Sequence, residues 1–84
     1  MPAFVYIVEC SDGTLYTGWS SDVSKRVARH NAGTGAKYCR SRRPVKCVYI
    51  LKCFDRIAAM KTEHSIKKLS RAAKLKLIKR HTHA

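Results

Sequence analysis

Apolar positions along the chain fall into runs of two kinds. Residues 4–10, FVYIVEC, form a β-branched and aromatic run suited to a buried strand. Ser11, Asp12 and Gly13 then give a turn signal of hairpin type, and residues 14–19, TLYTGW, predict a second strand. Ser20, Ser21 and Asp22 offer N-caps for a helix over 23–31, with Val23 and Val27 four apart on its inner face. Gly33 and Gly35 close it. Residues 36–43 are short, polar and basic, which suits one helical turn or an ordered loop. Pro44 marks a boundary, and 45–54, VKCVYILKCF, predicts a third strand. Asp55 can cap a helix over 56–69 whose face is Ala59, Thr62, Ile66 and Leu69. Ser70 can cap a last one over 71–78, facing inward through Leu75 and Ile78.

The order β-β-α-β-α-α implies an α+β domain, a three-stranded and mainly antiparallel sheet flanked by helices. With 84 residues, one domain over 1–84 is the expected organisation. No apolar run reaches the 18 to 20 residues, roughly, that a bilayer span needs. The start, Met1-Pro2-Ala3-Phe4, has neither the basic segment nor the apolar stretch of a signal peptide. A cytoplasmic location is therefore expected. Cys10, Cys39, Cys47 and Cys53 lack zinc-knuckle spacing and are expected to be free thiols.

Charge narrows the class of partner. Eighteen Lys and Arg against five Asp and Glu give +13, which calls for a polyanion. The basic C-terminal stretch lacks the Trp and Phe that would anchor it in a membrane interface, so nucleic acid is favoured over lipid. Lys37, Arg40, Arg42 and Arg43 cluster before the third strand, and Lys67 and Lys68 begin a second basic stretch. Both are candidates for phosphate-backbone contact, which gives affinity without sequence reading. A solvated basic face is the plainer alternative.

The chemistry-bearing residues are sparse. Tyr6 and Tyr16 lie on the two strands of the opening hairpin. Arg26 and His30 share one helical face, and Glu63, one of five acids, flanks the apolar face of its helix. Taken singly, each has a structural reading: amphipathic strand tyrosines, an Arg26–Asp22 pair, a helix-end histidine, a Glu63–Lys67 pair. A two-residue turn at Asp12-Gly13 would set Tyr16 opposite Glu9 and send the tyrosines to opposite faces. A shared site requires an odd-numbered loop or a bulge, and that is the expectation.

Order and spacing connect these residues. Phe4-Val5-Tyr6 resembles the GIY element of the GIY-YIG nuclease superfamily, and Leu15-Tyr16-Thr17-Gly18 its YIG element. Asp22, Arg26 and His30 resemble the helix that follows in many members. The stretch from Met60 through Glu63 to Leu69 resembles the later helix with its single essential acid. The likeness runs from about Phe4 to Ile78 and is nearest to small bacterial stand-alone members. Phe4 stands for the motif's Gly, Val5 for its Ile and Thr17 for the middle Ile. Trp19 stands where repair nucleases have Lys, so no role of that Lys carries over.

The resemblance implies a metal-dependent endonuclease acting on nucleic acid, DNA before RNA. It implies that Glu63 holds one Mg2+ or Mn2+ and that Tyr16 acts as general base. It further implies that Arg26 contacts the phosphate, that Tyr6 orients water or phosphate and that His30 assists. Gly18 is expected to permit a close approach of backbone or substrate. The alternative is a nucleic-acid-binding module of the same fold with weak or absent catalysis. A protein partner for targeting is compatible with either.

Overall fold

The structure is a computed structural model that describes the backbone of residues 2–83 and the side chains of residues 2–81. Residues 1 and 84 of the expected domain lie outside the described residues. Strands β1 (Ala3–Glu9) and β2 (Leu15–Ser20) are followed by helices α1 (Val23–Ala32) and α2 (Lys37–Arg40). Strand β3 (Lys46–Cys53) and helices α3 (Arg56–Lys67) and α4 (Arg71–His83) complete the chain. The sheet is fully antiparallel in the order β2-β1-β3, so the apolar run β1 is central and β2 and β3 are edges.

Alternation along β1 separates two layers. Ala3, Val5 and Ile7 join Tyr49, Cys53, Ala59 and Ile66 under α3 and α4. Tyr6 and Val8 join Cys10, Val23, Cys39 and Val45 under α1 and α2. A register shift between Ile7 and Val8 sets Ile7 against Tyr49 but Val8 against Cys47. The extra residue lets Tyr49 and Cys47, two apart in sequence, serve opposite layers.

Local signals set the helix ends. Asp22 caps α1 by accepting from the Lys25 amide at 3.0 Å, and Gly33, at φ 84°, closes it in the left-handed region. Asp55 accepts from the Ala58 amide at 2.8 Å, a cap of the kind that contributes about 1 kcal/mol. Ser70 caps α4 through the Ala73 amide at 3.2 Å. Asn31 ties the end of α1 to the start of β3, donating to the Val45 carbonyl at 3.0 Å and accepting from its amide at 2.7 Å.

The last helix corrects the sequence reading: α4 runs to His83 rather than ending at Ile78. Its inner contacts are Leu77 and Ile78, whereas Leu75 is exposed, as is Leu69 on the preceding segment. His81 extends the seam by meeting the Tyr49 ring edge-on at 5.1 Å. Cys10, Cys39 and Cys53 are buried free thiols and Cys47 is a half-buried one. Burial pushes the Cys39 thiol up to about 11, with Cys10 adding to the effect. Among the described residues no helix is long and apolar enough to cross a membrane.

Candidate active site

The hairpin decides whether the tyrosines can cooperate. Its loop is Ser11-Asp12-Gly13, with the Gly13 amide donating to the Cys10 carbonyl at 2.9 Å and the Cys10 amide to the Thr14 carbonyl at 2.8 Å. Gly13 takes φ 83°, the left-handed position that three-residue hairpin loops require. Asp12 stiffens the loop by accepting from the Thr14 amide at 3.1 Å and its hydroxyl at 2.6 Å. With three loop residues, Tyr16 pairs with Val8 and Gly18 with Tyr6. Tyr6, Tyr16 and Gly18 therefore share one face, as the odd-loop expectation requires.

That face meets α1 at the free edge of β2. Tyr6, Tyr16, Gly18, Trp19, Arg26 and Glu63 line one cleft of about 180 Å³. Trp19 belongs to the opposite face of the strand, and Glu63 stands on α3, across the sheet from α1. They reach the same cleft because β2 has no outer neighbour, so side chains from both layers converge around its edge. Arg26 is half-buried, and its guanidinium has no hydrogen bond or ion pair among the described residues. Asp22, its expected structural partner, is occupied capping the helix.

Two glycines make the packing possible. A Cβ at Gly18 would stand 2.6 Å from Tyr6 Oη and 2.7 Å from Tyr6 Cζ, so the phenol lies directly on the strand backbone. A Cβ at Gly35 would run into His30 Nδ1 and stand 2.9 Å from His30 Cα. His30 is only 1% exposed. Its Nε2 lies 2.9 Å from Tyr6 Oη, and its Nδ1 accepts from the Ala36 amide at 3.2 Å.

Tyr16 is held by an aromatic stack. Tyr38 lies over it at 5.8 Å with the rings 25° apart, and His30 meets it edge-on at 5.5 Å. The Arg42 guanidinium lies over the Tyr38 ring at 4.1 Å and forms an ion pair with Asp12 at 3.1 Å. Lys67 Nζ stands 5.9 Å from the Tyr16 ring centre and 3.6 Å from Glu63 Oε1.

Burial governs the proton affinities here. It pushes the Tyr6 phenol far above its ordinary range; Tyr16, Cys39 and Glu63 add to this and Arg26 opposes it. Tyr16 is raised for the same leading reason, with Cys39 and Glu63 adding and Arg26 opposing. His30 is lowered, by burial first and Arg26 second, which keeps it neutral.

The basic candidates divide. Lys37, Arg40, Lys67 and Lys68 are exposed. Arg42 instead bonds Asp12 and donates to the Tyr38 carbonyl at 2.8 Å. Arg43 donates to the carbonyls of Arg40 at 2.9 Å and Asn31 at 3.4 Å. Their donors hold the loop between α1 and β3.

Gly35, Tyr38 and Trp19 were not picked out from the sequence as parts of this region. The four-residue spacing of Tyr38 and Arg42 is a signal for their stacking. Nothing local marks Gly35 as the residue beneath His30.

A sequence model of the GIY-YIG catalytic domain matches residues 2–76. The chain belongs to the GIY-YIG family. A UPF0213 protein of Streptococcus agalactiae is 49% identical over 81 residues, covering 96% of this chain and 92% of the relative. Another, from Syntrophus aciditrophicus, is 54% identical over 77 residues, covering 90% and 88%. Two solution NMR structures share the GIY-YIG chain's fold. The UPF0213 protein BH0048 of Bacillus halodurans has a TM-score of 0.61 at 42% identity, covering 94% of this chain and 84% of the other. The protein EF2693 of E. faecalis has a TM-score of 0.67 at 36% identity, covering 100% and 90%.

Proposed function

We propose that this GIY-YIG domain is a divalent-metal-dependent endonuclease that hydrolyses phosphodiester bonds in cytoplasmic nucleic acid, DNA before RNA. The observation that carries this reading is the convergence of Tyr6, Tyr16, Arg26 and Glu63, from four separate elements, on one cleft.

The donor set fits magnesium or manganese. Among the described residues no group of three or more His, Cys, Asp or Glu could cage a metal, which argues against a zinc-type site. A single carboxylate facing a cleft of about 180 Å³ leaves room for water beside it. That suits a hard cation that gives up its waters reluctantly. Glu63 would hold it. When bound, the cation supplies Lewis acidity at the phosphate and stabilises the leaving oxygen.

The chain's own groups supply the rest. Arg26, with no hydrogen-bond or ion-pair partner among the described residues, presents a planar pair of donors to the non-bridging phosphate oxygens. Tyr16 accepts the proton of the attacking water as the new oxygen–phosphorus bond forms and the bond to the leaving oxygen breaks. It can do so only as phenolate, and burial works against that form. Arg26 works for it, and neutralising Glu63 would remove another influence that keeps the proton on Tyr16. Tyr6 orients water or phosphate. Lys37, Arg40, Lys67 and Lys68 give backbone affinity around the cleft.

One observation favours the second reading, a binding module of the same fold. Lys67 stands 3.6 Å from Glu63 Oε1 and competes for the carboxylate the cation needs.

Cleavage of duplex, single-stranded and branched DNA and of RNA, with magnesium or manganese and with chelator, separates the two. Metal-dependent cutting is expected, reduced about 10²- to 10⁴-fold in Tyr16→Phe, the range for a lost proton-transfer group. Salt-sensitive binding without cutting, equal in both proteins, would establish the binding module instead.

A further inference from the structure

The hydrogen-bond direction between His30 and Tyr6 follows from the far side of the histidine. A backbone amide can only donate, so the Ala36 N–H on Nδ1 requires a lone pair there. The neutral ring then carries its proton on Nε2. Nε2 lies 2.9 Å from Tyr6 Oη, so histidine donates and the phenol oxygen accepts. Gly35 is what allows the ring to sit against this loop, since a Cβ there would collide with Nδ1. Burial and Arg26 both disfavour the doubly protonated ring that would break the arrangement.

The consequence falls on Tyr6. With its oxygen accepting from His30, its own hydrogen is left to point elsewhere. Tyr6 has no other hydrogen-bond partner among the described residues. Tyr6 is only 1% exposed, and it borders the cleft shared with Tyr16, Arg26 and Glu63. We propose that the loop amide of Ala36 fixes His30 as an Nε2–H donor, and that Tyr6 thereby serves as a hydrogen-bond donor to a phosphate oxygen in the cleft. Tyr6 is then no proton acceptor, and His30 is a positioning residue acting through it. A donor held in place beforehand and aimed at developing oxyanion charge needs no reorganisation when the charge appears. The inference rests on the phosphodiesterase reading of the cleft.

Two readouts test it. Long-range proton–nitrogen NMR correlation on the folded protein reports the His30 tautomer without any reaction, the His30 signals being assigned by their loss in His30→Gln. Nε2–H is expected. Magnesium-dependent cleavage is then compared for wild type, His30→Gln, His30→Leu and Tyr6→Phe, each checked for folding by its amide spectrum. A Gln amide can place a donor near the Nε2 position but cannot accept a proton as a base. Gln is therefore expected to stay within about tenfold of wild type, whereas Leu and Tyr6→Phe fall by about 10²- to 10³-fold, the scale for a lost oxyanion donor.

An Nδ1–H tautomer overturns the inference and leaves the nuclease reading intact. So does a folded His30→Gln protein as inactive as His30→Leu, because His30 would then be taking a proton from Tyr6. Absence of wild-type cleavage on every substrate sinks the nuclease reading itself, and the assignment of Tyr6 to a phosphate with it.

Discussion

Glu63→Gln is expected to lower metal-dependent cleavage by on the order of 10³-fold while nucleic-acid affinity holds or rises. The loss corresponds to several kcal/mol of charge stabilisation withdrawn from the phosphate when the cation has no carboxylate to sit on. Affinity is expected to hold because binding rests on basic side chains, and the substitution removes a negative charge from a cleft that faces a polyanion. Stability is expected to change little. The Glu63–Lys67 pair spans one helical turn, and pairs of that kind contribute about 0.3–0.5 kcal/mol. Cleavage with magnesium, salt-dependent binding without it and thermal unfolding measure the three quantities. Full cleavage in the variant would remove Glu63 from the metal site. A joint loss of binding and stability would make its role structural.

Gly18→Ala is expected to lower cleavage by on the order of 10²-fold although it removes no functional group. The new methyl would stand 2.6 Å from Tyr6 Oη, closer than real Cβ atoms come to a neighbour. The strand backbone is fixed by its pairing with β1, so the phenol must swing away. That breaks its contact with His30 and moves it out of the cleft. Misplacing a positioned group by about 1 Å can cost on the order of 10²-fold in rate. Crowding of this kind destabilises by about 1–3 kcal/mol, which a chain this size can survive. Cleavage rate and thermal unfolding, measured together, check both numbers. Unchanged cleavage would show that the position of Tyr6 is immaterial.

The parts of the site that were legible in the sequence are those set by local rules. Strand alternation and the loop constraint put Tyr6 and Tyr16 on one face. Asp22 and Asp55 announced the helix starts that aim Arg26 and Glu63. Gly18 was expected to admit backbone or substrate, and what lies against it in the structure is the Tyr6 side chain. What stayed hidden depends on tertiary contact. The Arg42–Asp12 bond was not foreseen, because nothing local reveals Asp12, thirty residues earlier in the chain, as a partner. Gly35 read as a helix terminator, since its contact with His30 needs the loop to fold back. The end of α4 was missed because the apolar period stops at Ile78. The helix continues regardless, and His81 reaches Tyr49 from it.

The three-residue hairpin loop carries a rule about descent. Surface turns are ordinarily where chains gain and lose residues at little cost. Here a single insertion or deletion would change the parity of β2 against β1 and carry Tyr16 and Gly18 to the far side of the sheet. Length change at this turn is therefore tolerable only in steps of two, or when a bulge restores the count. A short surface loop with no catalytic residue of its own is thus held to its length by the tyrosines it separates.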